Sequence, residues 1–130
     1  MKLENKSISQ LTKELDRVFS IFIRQRDSDS QGYITCVSCK KKVRWEESNN
    51  CHFADRQHKS TRWDEINCNA GCVKCNAFDK GFHIHEYGKF LDKKYGKGTA
   101  DDLIFKSRLV AKFTKSELIE LINKYKKLIK

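Results

Sequence analysis

Two Cys-x-x-Cys pairs, Cys36/Cys39 and Cys72/Cys75, bracket the part of the chain richest in residue types that chemistry uses. Four thiolates complete the tetrahedral shell of a structural zinc ion, and paired knuckles are a common way to supply them. Residues 40 to 71 separate the pairs, a longer gap than a zinc ribbon needs, so a further unit is inserted between the knuckles. That insert carries His52 and Asn67, and Asn76 follows the second pair directly. Cys51 and Cys68 are left over and read as small buried hydrophobes.

A strand-borne histidine, a loop, an asparagine and a helix opening with a second asparagine can form a cleft for one hard divalent cation, Mg²⁺ or Mn²⁺. Phosphodiester hydrolysis there has three requirements. A base must take a proton from water, and neutral imidazole suits that near neutral pH. A metal must polarise the scissile phosphate and steady the leaving 3′ oxygen. An oxygen ligand must hold that metal. These roles fall to His52 as base and Asn76 as ligand. Asp79 lies near the same helix face and would hold the metal directly or through water; a solvated surface acid is the plain alternative. Asn67 is read as tying the loop behind His52 with its side-chain amide, against the alternative of an ordinary turn asparagine.

The composition says what such a site would act on. The chain has 130 residues, 38% hydrophobic and 34% charged, which suits a single domain with a small core and appended helices. Its net charge of +10 and pI of about 9.4 suit a polyanion, nucleic acid first, although a merely soluble basic protein would share them. Arg56 and Arg62, in the charged loop between His52 and Asn67, are the candidate phosphate contacts. Trp45 and Trp63 could stack on exposed bases, with core packing the plainer alternative. No apolar run is long enough for a membrane span, and the first residues lack a signal-peptide core. A cytoplasmic location follows as an expectation, and there six cysteines favour metal over disulfides.

The elements that must position these groups are legible in outline. Residues 8–26 read as an N-terminal helix, with Leu11, Leu15, Val18, Phe19 and Phe22 on one stripe and Ser7 or Ser9 as cap. Residues 32–45 read as a hairpin with the first knuckle at its tip, and 46–50 as a polar loop. Cys51–Phe53 and Ile66–Cys68 read as paired short strands, with Gly71 turning the chain into the second knuckle. Asn76 opens a helix to about Tyr95, although Gly81 and Gly88 weaken it. Two helices follow over 99–130, the first capped by Thr99, the second by the Thr114/Glu117 capping box.

CHF, the Arg-bearing loop, TRWDEIN and GCVKCN together resemble the His-Asn-His, or ββα-metal, nuclease superfamily in a His-Asn-Asn form. More narrowly the chain is similar to the phage NinG/Rap recombination nucleases, and LDRVFSIFIRQRD, GYITCVSC and EYGKFLDKKYG extend the likeness over roughly residues 11–125. The order Cys-x-x-Cys, His, Cys-x-x-Cys-Asn is also that of the phage resolvase endonuclease VII. The resemblance implies an α+β fold: a ββα-metal core over 32–95, stapled by a four-cysteine zinc site and flanked by N- and C-terminal helices. It implies metal-dependent cleavage of branched DNA, of Holliday-junction or D-loop type, in phage recombination within a bacterial host. Symmetric cutting of a four-way junction needs two active sites, which leaves a homodimer open. Superfamily members often place Asp or His before the base, where this chain has Cys51, a soft ligand that suits Mg²⁺ poorly. Asp55, Asp79, His83 or water is left to fill that position, while His85 has no assigned role. Two other readings share the charge and the zinc: a non-catalytic DNA-binding module, and a general nuclease without branch selectivity.

Overall fold

The computed structural model describes residues 1–130. Its first long element, helix α1, spans Ile8–Asp27. Ser7 starts it with a capping box: the Ser7 hydroxyl accepts from the Gln10 amide, and the Gln10 side chain accepts from the Ser7 amide. The three- and four-residue spacing of Leu11, Leu15, Val18, Phe19 and Ile23 puts all five on the buried face, while Phe22 stays at its margin. Helix α6, Lys115–Leu128, begins with the expected Thr114/Glu117 box and lays Leu118, Ile122 and Tyr125 against α1. Phe19 and Tyr125 meet edge to face at 4.9 Å, and Trp63 completes this core, packed edge-on to Phe113 rather than offered to a base.

Strands β1, Tyr33–Thr35, and β2, Lys42–Arg44, form the first hairpin, with Ile34 opposite Val43. Its tip is the first knuckle, closed by the Cys36 amide donating to the Lys41 carbonyl and by Lys40 at a left-handed φ of 67°. The second hairpin pairs β3, Ser48–His52, with β4, Cys68–Cys72, so that His52 faces Cys68 and Ser48 faces Cys72. The expected pairing of 51–53 with 66–68 and the expected loop over 46–50 are corrected here. Asn49 and Asn50 are poor strand formers by type, but α1 packs over both strands and supplies the tertiary support that overrides propensity. Gly71 is not a turn: it lies in β4 opposite Asn49 at a φ outside the left-handed region. Close approach explains it, since a Cβ there would sit 2.7 Å from the Cys51 sulfur.

A short helix α2, Lys59–Arg62, occupies the loop between β3 and β4. After β4 the chain enters α3, Val73–Phe78, breaks at Asp79 (φ −134°, ψ 58°), and continues as α4, Lys80–Tyr95. Asn76 therefore lies within a short helix rather than opening a long one, and the break falls at Asp79, not at Gly81 or Gly88. Gly88 faces the Phe53 ring, which a Cβ would touch at 3.6 Å. Helix α5, Thr99–Ser107, is preceded by Gly98 (φ 95°) as its cap residue, not by Thr99. Asp92 of α4 takes the capping role across space, accepting from the Ala100 amide at 2.9 Å. The result is a mixed α+β chain in which a small second core, Cys51, Val37, Tyr87, Leu91 and Leu103, lies under α4 and α5. No helix is long and apolar enough to cross a membrane.

Candidate functional site

The four paired cysteines converge. The sulfurs of Cys36, Cys39, Cys72 and Cys75 all lie within 4.8 Å of one another. A zinc–sulfur bond of ~2.3 Å in a tetrahedron sets the sulfur–sulfur edge at ~3.8 Å. The Cys39 and Cys72 sulfurs are 3.8 Å apart, so the cluster has the dimensions of a zinc site. Burial opposes a Cys36 thiolate, but hydrogen bonds from the Ser38 hydroxyl and from the backbone amides of Cys72, Ser38 and Cys39 outweigh it and bring that thiol down to about 6. Burial and the crowding of the other sulfurs push Cys72 up to about 12 and raise Cys39 as well. A bound dication reverses that crowding, because it favours every thiolate around it. Cys51 and Cys68 stand apart from the cluster, fully buried, with burial holding both thiols far above the ordinary range.

His52 ends β3 beside a cleft of about 400 Å³ whose lining includes Asn50, Asp55, Arg56, Asn76 and His83. Its ring is fixed by one bond, Nε2 to the Arg62 carbonyl at 2.9 Å. A carbonyl can only accept, so Nε2 carries the hydrogen and Nδ1 is the basic nitrogen. That is the ring's one hydrogen bond, and Nδ1 has none within the chain. Burial lowers the His52 pKa below its usual value, opposed in part by the Arg62 carbonyl and by the charge of Asp16.

Asn67 is fully buried. Its Oδ1 accepts from the Ala54 amide at 2.7 Å, and its Nδ2 donates to the carbonyls of Ala54 and Thr61 at 3.1 and 3.0 Å. One amide thus pins both ends of the loop that carries the His52 anchor. Asn76 is half-buried and lines the cleft with His52. Asn50 adds a buried Oδ1 with no partner, an oxygen donor of the kind a hard cation takes. Cys51, by contrast, turns into the core, so its thiol is no part of this donor set.

A family model described as "Bacteriophage Lambda NinG protein" matches residues 1–130. The chain belongs to the phage NinG family. No curated protein and no solved structure matches it.

Several expected residues of this NinG-family chain lie elsewhere than the sequence suggested. Asp79 is exposed and borders a hollow beside the four-cysteine cluster, with Cys39, Cys72 and Phe82, away from His52. The break between α3 and α4 removes the continuous helical turn that would have set it over Asn76. Arg56 is exposed at the cleft with an unbonded side chain, as a phosphate contact requires. Arg62 is not so placed: its guanidinium pairs with Asp16 at 2.5 and 3.0 Å and is only 17% exposed. His85 stays on the surface beside Glu86. His83 is buried, with Nδ1 2.8 Å from the Ser38 hydroxyl, which lies 3.4 Å from the Cys36 sulfur; this links the first knuckle to the cleft wall.

Asp16 and Asn50 escaped the sequence reading. Asp16 lies on the polar side of an amphipathic helix, where an acid reads as solvated. Asn50 lies in a stretch that reads as a polar loop. With Asn49, Ser20 and Arg56 they line a smaller hollow adjoining His52 and Asn76. The helix is held there by its own C-terminal residues. Arg26 donates to the carbonyls of Glu65 and Cys68 and to Asn69 Oδ1, and Asp27 accepts from the Ala70 amide.

Proposed function

We propose that this NinG-family protein is a metal-dependent DNA endonuclease of the ββα-metal type, acting on branched recombination intermediates, with the His52 cleft as its active site. One observation carries the reading: His52 is held as the Nε2–H tautomer by the Arg62 carbonyl, leaving a basic Nδ1 with no partner in the chain, beside Asn76 and the free guanidinium of Arg56. His83 shares the pattern of one bonded and one unpartnered ring nitrogen, but it is buried; His52 is only half-buried, and it stands at the polar cleft beside Asn76 and Arg56.

The residues divide the work as follows. His52 Nδ1 takes the proton from the water that attacks phosphorus. Asn67 keeps the loop, and so the imidazole, in place. Arg56 binds the phosphate backbone. Asn76, with Asn50, supplies neutral oxygen donors, which fit Mg²⁺ or Mn²⁺ and suit Zn²⁺ less well. Such a cation, when bound, polarises the scissile phosphate and neutralises the charge on the leaving 3′ oxygen. A zinc ion held by Cys36, Cys39, Cys72 and Cys75 would tie α3 to the first hairpin, a structural role apart from the reacting atoms. Hairpin β3–β4 followed directly by α3 supports the ββα assignment. Family membership and the basic charge support branched DNA as the substrate.

The deciding experiment incubates the purified, zinc-loaded protein with labelled four-way junction, flap and plain duplex, in Mg²⁺, Mn²⁺ or chelator. Metal-dependent cutting that prefers the branched substrates is expected. Equal rates on junction and duplex would make it a general nuclease. Tight junction binding without cutting in any divalent metal would make it a non-catalytic DNA-binding module.

A further inference from the structure

We infer that Asp16, on the N-terminal helix outside the strands and helix of the proposed active site, is a positioning residue that sets the tautomer and orientation of the His52 imidazole through one peptide group; this rests on the nuclease reading of the cleft. The Asp16 carboxylate receives three N–H donors. Oδ1 accepts from Arg62 Nε and from the Trp63 indole Nε1, each at 3.0 Å, and Oδ2 accepts from Arg62 Nη2 at 2.5 Å. Arg62 and Trp63 are consecutive, so a single carboxylate holds the side chains on both sides of one peptide bond. The carbonyl of that same peptide receives His52 Nε2–H at 2.9 Å.

The inner side of this peptide has its own contacts. Its N–H, that of Trp63, donates to the Thr61 carbonyl, which Asn67 also grips, and the Cys68 thiol reaches the Arg62 carbonyl at 3.4 Å. The Asp16 carboxylate adds the outer anchors, one on each flanking side chain, and so fixes how the carbonyl is aimed at His52. The charge pair is largely sheltered, with Asp16 and Arg62 only 22% and 17% exposed, so it is not the solvated surface pair that contributes little. Its geometry, bidentate from Arg62 with the indole as a third donor, favours one arrangement of the peptide. A carbonyl held in that orientation selects the Nε2–H imidazole and keeps Nδ1 basic; a carbonyl free to rotate does not. Partners behind a metal-binding or catalytic histidine fix its tautomer in this way.

The test is a long-range ¹H–¹⁵N spectrum of His52 in the zinc-loaded full chain, read beside cleavage kinetics. Wild type should show the Nε2–H tautomer alone. Asp16→Ala should show a mixture of tautomers, and kcat should fall roughly 10–100-fold with KM unchanged, the usual cost of removing such a partner. In a His52→Ala background, Asp16→Ala should cost nothing further, which a general structural role would not predict. Asp16→Asn keeps the shape but offers one oxygen to three donors, and should give a smaller shift in the same direction. It serves as the readout if Asp16→Ala does not fold. A pure Nε2–H tautomer in the folded variants overturns the inference whatever their rate. A wild-type protein that cuts nothing tells against the nuclease reading instead, while the spectrum still decides whether Asp16 governs His52.

Discussion

His52 Nε2 donates to the main-chain carbonyl of Arg62 at 2.9 Å, so the orientation of one side chain depends on the backbone of a loop ten positions further along. The bond also bears on acidity. Burial disfavours the charged imidazole and sets its pKa below the ordinary value, ~6.5. Cleavage should therefore be on its plateau at neutral pH and fall as pH drops through that lowered pKa. Because the folded pKa is depressed, the contribution of His52 to stability is present above the unfolded pKa and is lost as pH falls through the folded one. A pH–rate profile at saturating metal checks this, and an ascending limb with its midpoint above neutrality would contradict it.

Losing the base and losing a metal ligand should be separable. His52→Ala should retain zinc, fold and DNA binding but lose roughly 10²–10⁴-fold in rate, because phosphate contacts come from other side chains. Asn76→Ala should also cut slowly, yet recover in part as Mg²⁺ or Mn²⁺ is raised. Extra cation cannot replace a proton acceptor, so His52→Ala should show no such recovery. A metal titration of both variants on one junction substrate gives the comparison, and a folded His52→Ala protein cutting at the wild-type rate would remove His52 from the active site.

The four-cysteine cluster should carry one tightly held zinc. Cys75→Ser should unfold or aggregate the chain, since in a core this small metal binding and folding are one event. Elemental analysis of freshly purified protein and a melt in strong chelator are the measurements. Folded wild-type protein without zinc would be the contrary result.

Arg56 and Arg62 should behave differently although they share a loop. Arg56→Ala should weaken junction binding and flatten its salt dependence by about one unit of slope, as for one lost phosphate contact. Arg62→Ala leaves Asp16 without its partner in a sheltered site and should lower thermal stability first. Filter binding across a salt series, with a melt of each variant, separates the two; equal melting temperatures would return Arg62 to the phosphate-binding set.

Gly71→Ala should destabilise by about 1–3 kcal/mol, the range for overpacking, because the new methyl would lie 2.7 Å from the Cys51 sulfur. Combining it with Cys51→Ala should recover part of that loss, a positive coupling in a double-mutant cycle. Additive losses would mean that close approach to Cys51 is not why glycine stands there.

What the sequence determined by itself is what short-range chemistry and spacing encode. Two Cys-x-x-Cys turns each aim two thiols at one point by local geometry, and the four-ligand requirement of a metal predicts that the pairs meet, as Cys36, Cys39, Cys72 and Cys75 do. The stripe of Leu11, Leu15, Val18 and Phe19, and the Thr114/Glu117 box, depend on contacts within one or two helical turns, and they stand as read. Asn67 was legible for a related reason: a buried amide closing a loop is satisfied by carbonyls and amides nearby in the chain. Tertiary structure decided the rest. Pairing of Ser48–His52 with Cys68–Cys72 draws two asparagines into a strand because α1 packs across them. The break at Asp79 sends that acid to the four-cysteine side of the second knuckle. Asp16 reaches Arg62 and Trp63 because α1 packs on the β3–β4 hairpin through its apolar face, with Arg26 and Asp27 bonding its far end to β4. No periodicity encodes a bond between residues 46 positions apart; the packing of one helix on one hairpin does.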